Sequence, residues 1–145
     1  MISLTRIFRF EAAHAIYEYP GSCARVHGHS YELHVTIRSK KEEHGYIDRL
    51  GIIFDFKDLK KIVSSTVDQL DHKLILSKTY VKNSSHTFAG EEITLFDYEP
   101  TAENLLIFFR DRIKNDIPES VSLLCLKLYE TRDSYAEWMS EETKP

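Results

Sequence analysis

The chain has 145 residues, of which 42% are hydrophobic and 29% charged, proportions that fit one soluble domain over 1–145 with a sizeable core. A net charge of −4 and a pI near 6.0 give no general electrostatic reason to bind nucleic acid or an anionic membrane. Arg6, Arg9 and Glu11 interrupt the N-terminal stretch, so it does not read as a signal peptide. No apolar run approaches membrane-spanning length, and two cysteines, Cys23 and Cys125, point to a reduced cytoplasmic protein rather than a disulfide scaffold.

"ISLTRIFRFEAAH" reads as a strand with Phe8, Phe10, Ala12 and His14 on one parity. A loop at "YEYPGS" follows, then a second strand over roughly 27–38. There His27, His29, Tyr31, Leu33, Val35 and Ile37 face one way and Ser30, Glu32, His34, Thr36 and Arg38 the other. "KKEEHGYIDRLG" is a polar connection. "DFKDLKKIVSSTVDQL" is an amphipathic helix, with Asp55 as its N-cap and Phe56, Leu59, Val63, Val67 and Leu70 at helical spacing.

"SKTYVKNSSHTFAGEE" reads as a loop, "ITLF" as a short strand in a small hairpin arm. Thr101 caps a second helix carrying Ala102, Leu105, Leu106, Phe109 and Ile113 as an apolar stripe. "SVSLLCLKLYE" and a short segment near "YAEWM" read as the last strands, with Cys125 a packing residue. This order predicts an α+β domain, a four-stranded antiparallel sheet with two helices on one face.

Chemistry concentrates in "CARVHGH". His27 and His29 are two apart on a strand, so both imidazoles leave one apolar face and converge. His14, on the apolar parity of the neighbouring strand, supplies a third nitrogen. Either the pair is surface-exposed, or the histidines are buried and need partners: hydrogen bonds within the core, or a shared metal ion, for which three imidazoles and an open position are the pattern of catalytic zinc. Gly28 between them suggests a bulge or a close backbone approach.

Cys23 lies four residues before His27 in a loop. It is either an incidental thiol, a fourth ligand closing a structural site, or a thiolate base activated by a nearby cation. In "LDHK", Asp71 beside His72 is either a proton-passing pair or a solvated helix end. Glu130 shares the parity of Leu124, Leu126 and Leu128, and either ends the strand in solvent or accepts a flat pair of N–H donors.

Six segments in order, "FRFEAAHAI", "CARVHGHSY", "GIIFDFKDLKKIV", "QLDHKLIL", "EPTAENLL" and "LYETRDSYAEW", span about residues 6–138. Together they resemble the 6-pyruvoyl-tetrahydropterin synthase / 6-carboxytetrahydropterin synthase family. The resemblance implies a tunnelling fold whose sheets close into a barrel in a homo-oligomer, a tetramer or hexamer, with pockets between subunits. It implies one zinc per subunit on His14, His27 and His29, with Cys23 as catalytic thiol. Asp71 and His72 then form its relay, from the same or a neighbouring subunit. Glu130 anchors the pterin ring, and Thr101 and Glu103 line or support that pocket.

The implied substrate is 7,8-dihydroneopterin triphosphate. A cysteine four residues before "HGH" is similar to the 6-carboxytetrahydropterin branch of queuosine and deazapurine synthesis, which releases acetaldehyde and triphosphate. The pyruvoyl branch, and a non-catalytic pterin-binding zinc module, are the alternatives. The 26 residues between "LDHK" and "PTAEN" exceed those of the shortest members, and the tail "MSEETKP" is polar and acidic.

Overall fold

The two alternating segments at the N-terminal end form the central antiparallel pair, β1 (Ser3–His14) and β2 (His27–Ser39), in a computed structural model that describes residues 2–41, 45–48 and 50–141. Parts of the polar connection (42–44 and 49) and of the tail (142–145) lie outside the described residues. The remaining elements are α1 (Phe56–Val67), β3 (Lys73–Ser77), α2 (Lys78–Asn83), β4 (Ile93–Phe96), α3 (Ala102–Asp116), β5 (Val121–Thr131) and β6 (Ser134–Met139). A single 3-10 turn, Ser22–Ala24, interrupts the loop between β1 and β2.

Parity decides the layers. Phe8, Phe10 and Ala12 of β1 and Tyr31, Leu33, Val35 and Ile37 of β2 are buried on one face beneath α1 and α3. Leu59, Val63 and Val67 of α1 and Leu105, Leu106, Phe109 and Ile113 of α3 close that core. Each fully enclosed leucine there contributes roughly 1.5–3 kcal/mol relative to exposure. Both helices start where expected: Asp55 accepts from the Lys57 N–H at 2.7 Å, and Thr101 from the Asn104 N–H at 3.3 Å. Phe56, at the first position of α1, stays 45% exposed, so the buried stripe begins at Leu59.

The sheet differs from the expected four antiparallel strands. It has six, in the order β4-β3-β1-β2-β5-β6, and it is mixed: β1 runs parallel to β3, and β3 parallel to β4. The signal was in "KLILS", where Leu74 to Ser77 are all buried. A strand covered on both faces shows a continuous apolar run instead of alternation, as parallel strands do. Ile75 joins the main core, whereas Leu74 and Leu76 point to the opposite face.

A third helix covers that face, within the stretch expected to be loop. Ser77 accepts from the Tyr80 N–H at 2.9 Å and starts α2, whose Tyr80 and Val81 pack with Phe88 over Leu74 and Leu76. Residues 78–92 are thus a crossover between parallel strands, which no hairpin could join. Gly28 also departs from expectation. Its register against Ala13 is unbroken, and an added Cβ would meet only the Ala12 carbonyl at 3.6 Å. The irregularity of β2 lies at Thr36/Ile37, against β5.

Candidate metal centre

The register of β1 and β2 brings the histidines together. His14 stands opposite His27, and His29 opposite Ala12, so all three rings share one face at the end of the sheet. Below them Phe10 stacks on Tyr31, its cross-strand partner, at 4.9 Å between centroids, and Phe109 of α3 tilts against Phe10. These aromatic contacts lie next to the strand ends that carry the three histidines.

Backbone carbonyls set the tautomers. His14 Nδ1–H donates to the Pro100 carbonyl at 2.7 Å, and His27 Nδ1–H donates to the Arg25 carbonyl at 2.7 Å. A carbonyl only accepts, so in the neutral rings both Nε2 atoms carry lone pairs. They lie 3.0 Å apart. Burial lowers the His14 pKa, opposed by the Pro100 carbonyl and the Glu130 charge, and burial likewise lowers that of His29. Neutral rings whose lone pairs converge repel one another unless a cation lies between them.

His29 supplies the second observation. Its Nε2 is buried and makes no hydrogen bond; Glu130 Oε1 is 3.4 Å away, within ion-pair range but without hydrogen-bond geometry. The ligand nitrogens of His14, His27 and His29 lie within 4.8 Å of one another. An orphaned buried nitrogen beside two oriented lone pairs fits a metal ion, and the all-imidazole donor set suits zinc. Carbonyl anchors behind two of the ligands are the outer partners such a site uses.

Glu130, at the end of β5, reaches the same centre, with Oε1 3.3 Å from His14 Nε2. The buried Tyr31 hydroxyl donates to this oxygen at 3.4 Å, and burial followed by the Glu130 charge drives the phenol pKa up. Tyr31 shares the parity of His27 and His29, so its place at the centre was legible in the alternation. A cleft of about 530 Å³ opens beside these residues, and His14, Cys23, Thr101, Glu103, Glu130 and Tyr19 are among those lining it. Cys23 is half-buried on the 3-10 turn, and its carbonyl accepts from the Ile16 N–H at 2.9 Å. Both cysteines are free, and Cys125 is half-buried in β5 with its thiol pKa raised by burial.

Asp71 and His72 form a tight pair elsewhere. Asp71 Oδ1 accepts from the Glu11 N–H at 2.9 Å and lies 2.9 Å from His72 Nδ1, within ion-pair range. His72 has φ 57, a left-handed backbone uncommon for a side-chain-bearing residue, and its N–H donates to the Glu11 carbonyl at 2.6 Å. Its ring lines a second cleft of about 380 Å³ with Glu11, Gly28, His29 and Ser30. The two clefts share no lining residue. His14, Cys23, Thr101, Glu103 and Glu130 thus line one cleft, and His29 lines the other with His72.

Sequence reasoning passed over Glu99, Pro100 and Asn104. Pro100 and Arg25 act through backbone carbonyls, which leave no trace in residue identity.

The fold and site define an α+β domain with a three-imidazole cluster, one of whose rings, His14, lines a cleft. The profile of the family described as "6-pyruvoyl tetrahydropterin synthase" matches residues 3–141. The "6-carboxy-5,6,7,8-tetrahydropterin synthase" of Rickettsia typhi is 33% identical over 94% of this chain and 99% of its own. The protein of the same description from Haemophilus influenzae is 29% identical over 95% and 99%. The crystal structure of 6-pyruvoyl tetrahydropterin synthase from Plasmodium vivax shares the fold, with TM-score 0.72 and 19% identity over 97% and 99% of the two chains. The chain belongs to the 6-pyruvoyl tetrahydropterin synthase family.

Proposed function

We propose that this chain is a zinc-dependent 6-carboxy-5,6,7,8-tetrahydropterin synthase. It converts 7,8-dihydroneopterin triphosphate and one water to 6-carboxytetrahydropterin, with release of acetaldehyde and triphosphate, in queuosine and deazapurine synthesis. The observation that carries the reading is the convergence of three imidazoles beside a cleft that also holds a thiol and a half-buried carboxylate. The carboxy rather than pyruvoyl product is supported by the descriptions of the curated relatives.

His14, His27 and His29 hold the zinc through Nε2, with the Pro100 and Arg25 carbonyls fixing two of the rings. Bound there, zinc is a Lewis acid that acidifies hydroxyls of the substrate side chain. Cys23 Sγ is the base that removes a proton from the side chain while triphosphate leaves. His72, held at Nδ1 by Asp71, passes protons at Nε2. Glu130 accepts the paired N–H groups of the aminopyrimidinone edge, with Thr101 and Glu103 lining the ring's slot.

That Cys23 and His72 line separate clefts supports a complete set formed between copies in a homo-oligomer, a tetramer or hexamer. The sheet ends in β4 and β6, strand edges open to pairing with another copy. Incubating zinc-loaded protein with 7,8-dihydroneopterin triphosphate and identifying the products by mass spectrometry tests the reading. 6-Carboxytetrahydropterin with acetaldehyde supports it; a pyruvoyl product replaces it with the sister activity, and absence of turnover makes the chain a binding module.

A further inference from the structure

We propose that Glu99 is a positioning residue that couples the Cys23 loop to the metal centre. Its carboxylate Oε2 accepts from the Tyr17 N–H at 2.8 Å, across a sequence separation of 82 residues. Next to Tyr17, the Ile16 N–H donates to the Cys23 carbonyl at 2.9 Å and closes the loop that presents the thiol. On the other side of Glu99, the Pro100 carbonyl accepts His14 Nδ1–H. One dipeptide, Glu99-Pro100, thus grips the thiol loop with its side chain and a metal ligand with its backbone.

The dipeptide is itself anchored to the start of α3. The Glu99 carbonyl accepts from the Thr101 N–H at 2.8 Å and from Asn104 Nδ2 at 2.9 Å, and Pro100 is buried. A proline also fixes its own φ and restricts the residue before it, which removes freedom at the point where both grips meet. A carboxylate accepting a backbone N–H is a charge-assisted bond, stronger than a neutral equivalent. Without it, residues 15–22 keep the Ile16–Cys23 closure but lose this tie to the metal side of the cleft. Since a misplacement of about 1 Å can cost roughly 100-fold in a positioned reaction, this bond matters more for thiol placement than for folding.

The inference rests on the proposed metal and thiol roles, and its test needs no pterin. Cys23 alkylation by iodoacetamide is followed by peptide mass spectrometry on zinc-loaded and zinc-free protein, with metal content measured on the same samples. In wild type, zinc loading changes the Cys23 rate by about tenfold, because a neighbouring cation alters thiol reactivity. In Glu99→Ala this zinc effect shrinks to below about twofold while zinc content stays at the wild-type level. Glu99→Gln keeps the effect, since its amide oxygen still accepts from Tyr17.

A purely structural role would lower thermal stability without uncoupling zinc from the thiol. If Glu99→Ala does not fold, Glu99→Asp withdraws the acceptor by about one bond length, roughly 1.5 Å, and gives a partial loss. Full zinc dependence of Cys23 alkylation in the folded variants overturns the proposal, as does a zinc-bound wild type whose thiol ignores the metal. A wild type that binds no zinc at all fails the functional reading instead, and the metal analysis reports that separately.

Discussion

Replacing His29 with alanine separates the two roles of a buried imidazole. In the metal-free chain His29 Nε2 is buried without a hydrogen bond. Removing it relieves a desolvation cost of about 1–3 kcal/mol, which offsets much of the packing lost with the ring. With zinc the sign reverses. Zinc-site affinities of about 10–16 kcal/mol over four ligands assign roughly 3 kcal/mol to each, or about 150-fold in Kd. At free zinc about 100 times the wild-type Kd, wild type gains about 2.7 kcal/mol of stability and the variant about 0.3. For 145 residues, each kcal/mol moves Tm by roughly 3–4 °C. Zinc should then raise the wild-type Tm by about 8–11 °C and that of His29→Ala by about 1 °C, from similar metal-free baselines. Cys23→Ala should keep the full wild-type increment. Scanning calorimetry at matched free zinc reads all three proteins. An increment lost equally in Cys23→Ala would make Cys23 a fourth ligand and the centre a closed structural site. An increment preserved in His29→Ala would remove His29 from the ligand set.

Two further outcomes follow from the same centre. Glu130→Gln should weaken pterin binding by about 30- to 800-fold, the loss of a charge-assisted pair worth about 2–4 kcal/mol, with zinc content retained; calorimetry with a pterin ligand checks this, and unchanged affinity would remove Glu130 from the pterin site. Burial lowers the pKa of His14 and His29 below their ordinary 6.5, so the unfolded chain takes up protons first and metal-free stability should fall as pH drops through 6.5. Urea midpoints at pH 7.5 and 5.5 should fall less for a His14→Gln/His29→Gln double variant than for wild type; an equal fall in both would place the acid sensitivity elsewhere.

What the sequence made legible is what period and parity encode. The two-residue repeat put His27 and His29 on the core face of β2, and His14 on that of β1, without any knowledge of their register. Asp55 and Thr101 announced helix starts because capping is a local hydrogen bond. The parallel β3–β4 arm was illegible for the opposite reason. A five-residue apolar strand carries no alternation, and its partner is chosen by a crossover whose α2 has only six residues. Glu99 was illegible too, since its partner is a backbone N–H 82 residues away.

The centre is also where local rules are broken, and the pattern of violations is informative. On the open face of the sheet opposite charges pair: Glu32 bonds both Arg9 and His34, and Lys127 pairs with Glu137. At the end of β1 and β2 the chain does the reverse. It buries His14, aims its lone pair at that of His27, leaves His29 Nε2 without a hydrogen bond, and brings the Glu130 carboxylate against two of the rings. The Nε2 lone pairs of His14 and His27 and the Glu130 carboxylate are all acceptors, so none of these three stabilises another. Folding alone would favour apolar side chains here, because unpaired buried polar atoms each cost about 1–3 kcal/mol. A divalent cation turns the same convergence favourable. The local conflict is therefore an argument for a bound metal that is independent of any resemblance, and natural chains keep such conflicts at functional sites. The strained φ of His72 belongs to the same pattern. Its bond to Glu11 ties that strain to β1, three residues before His14.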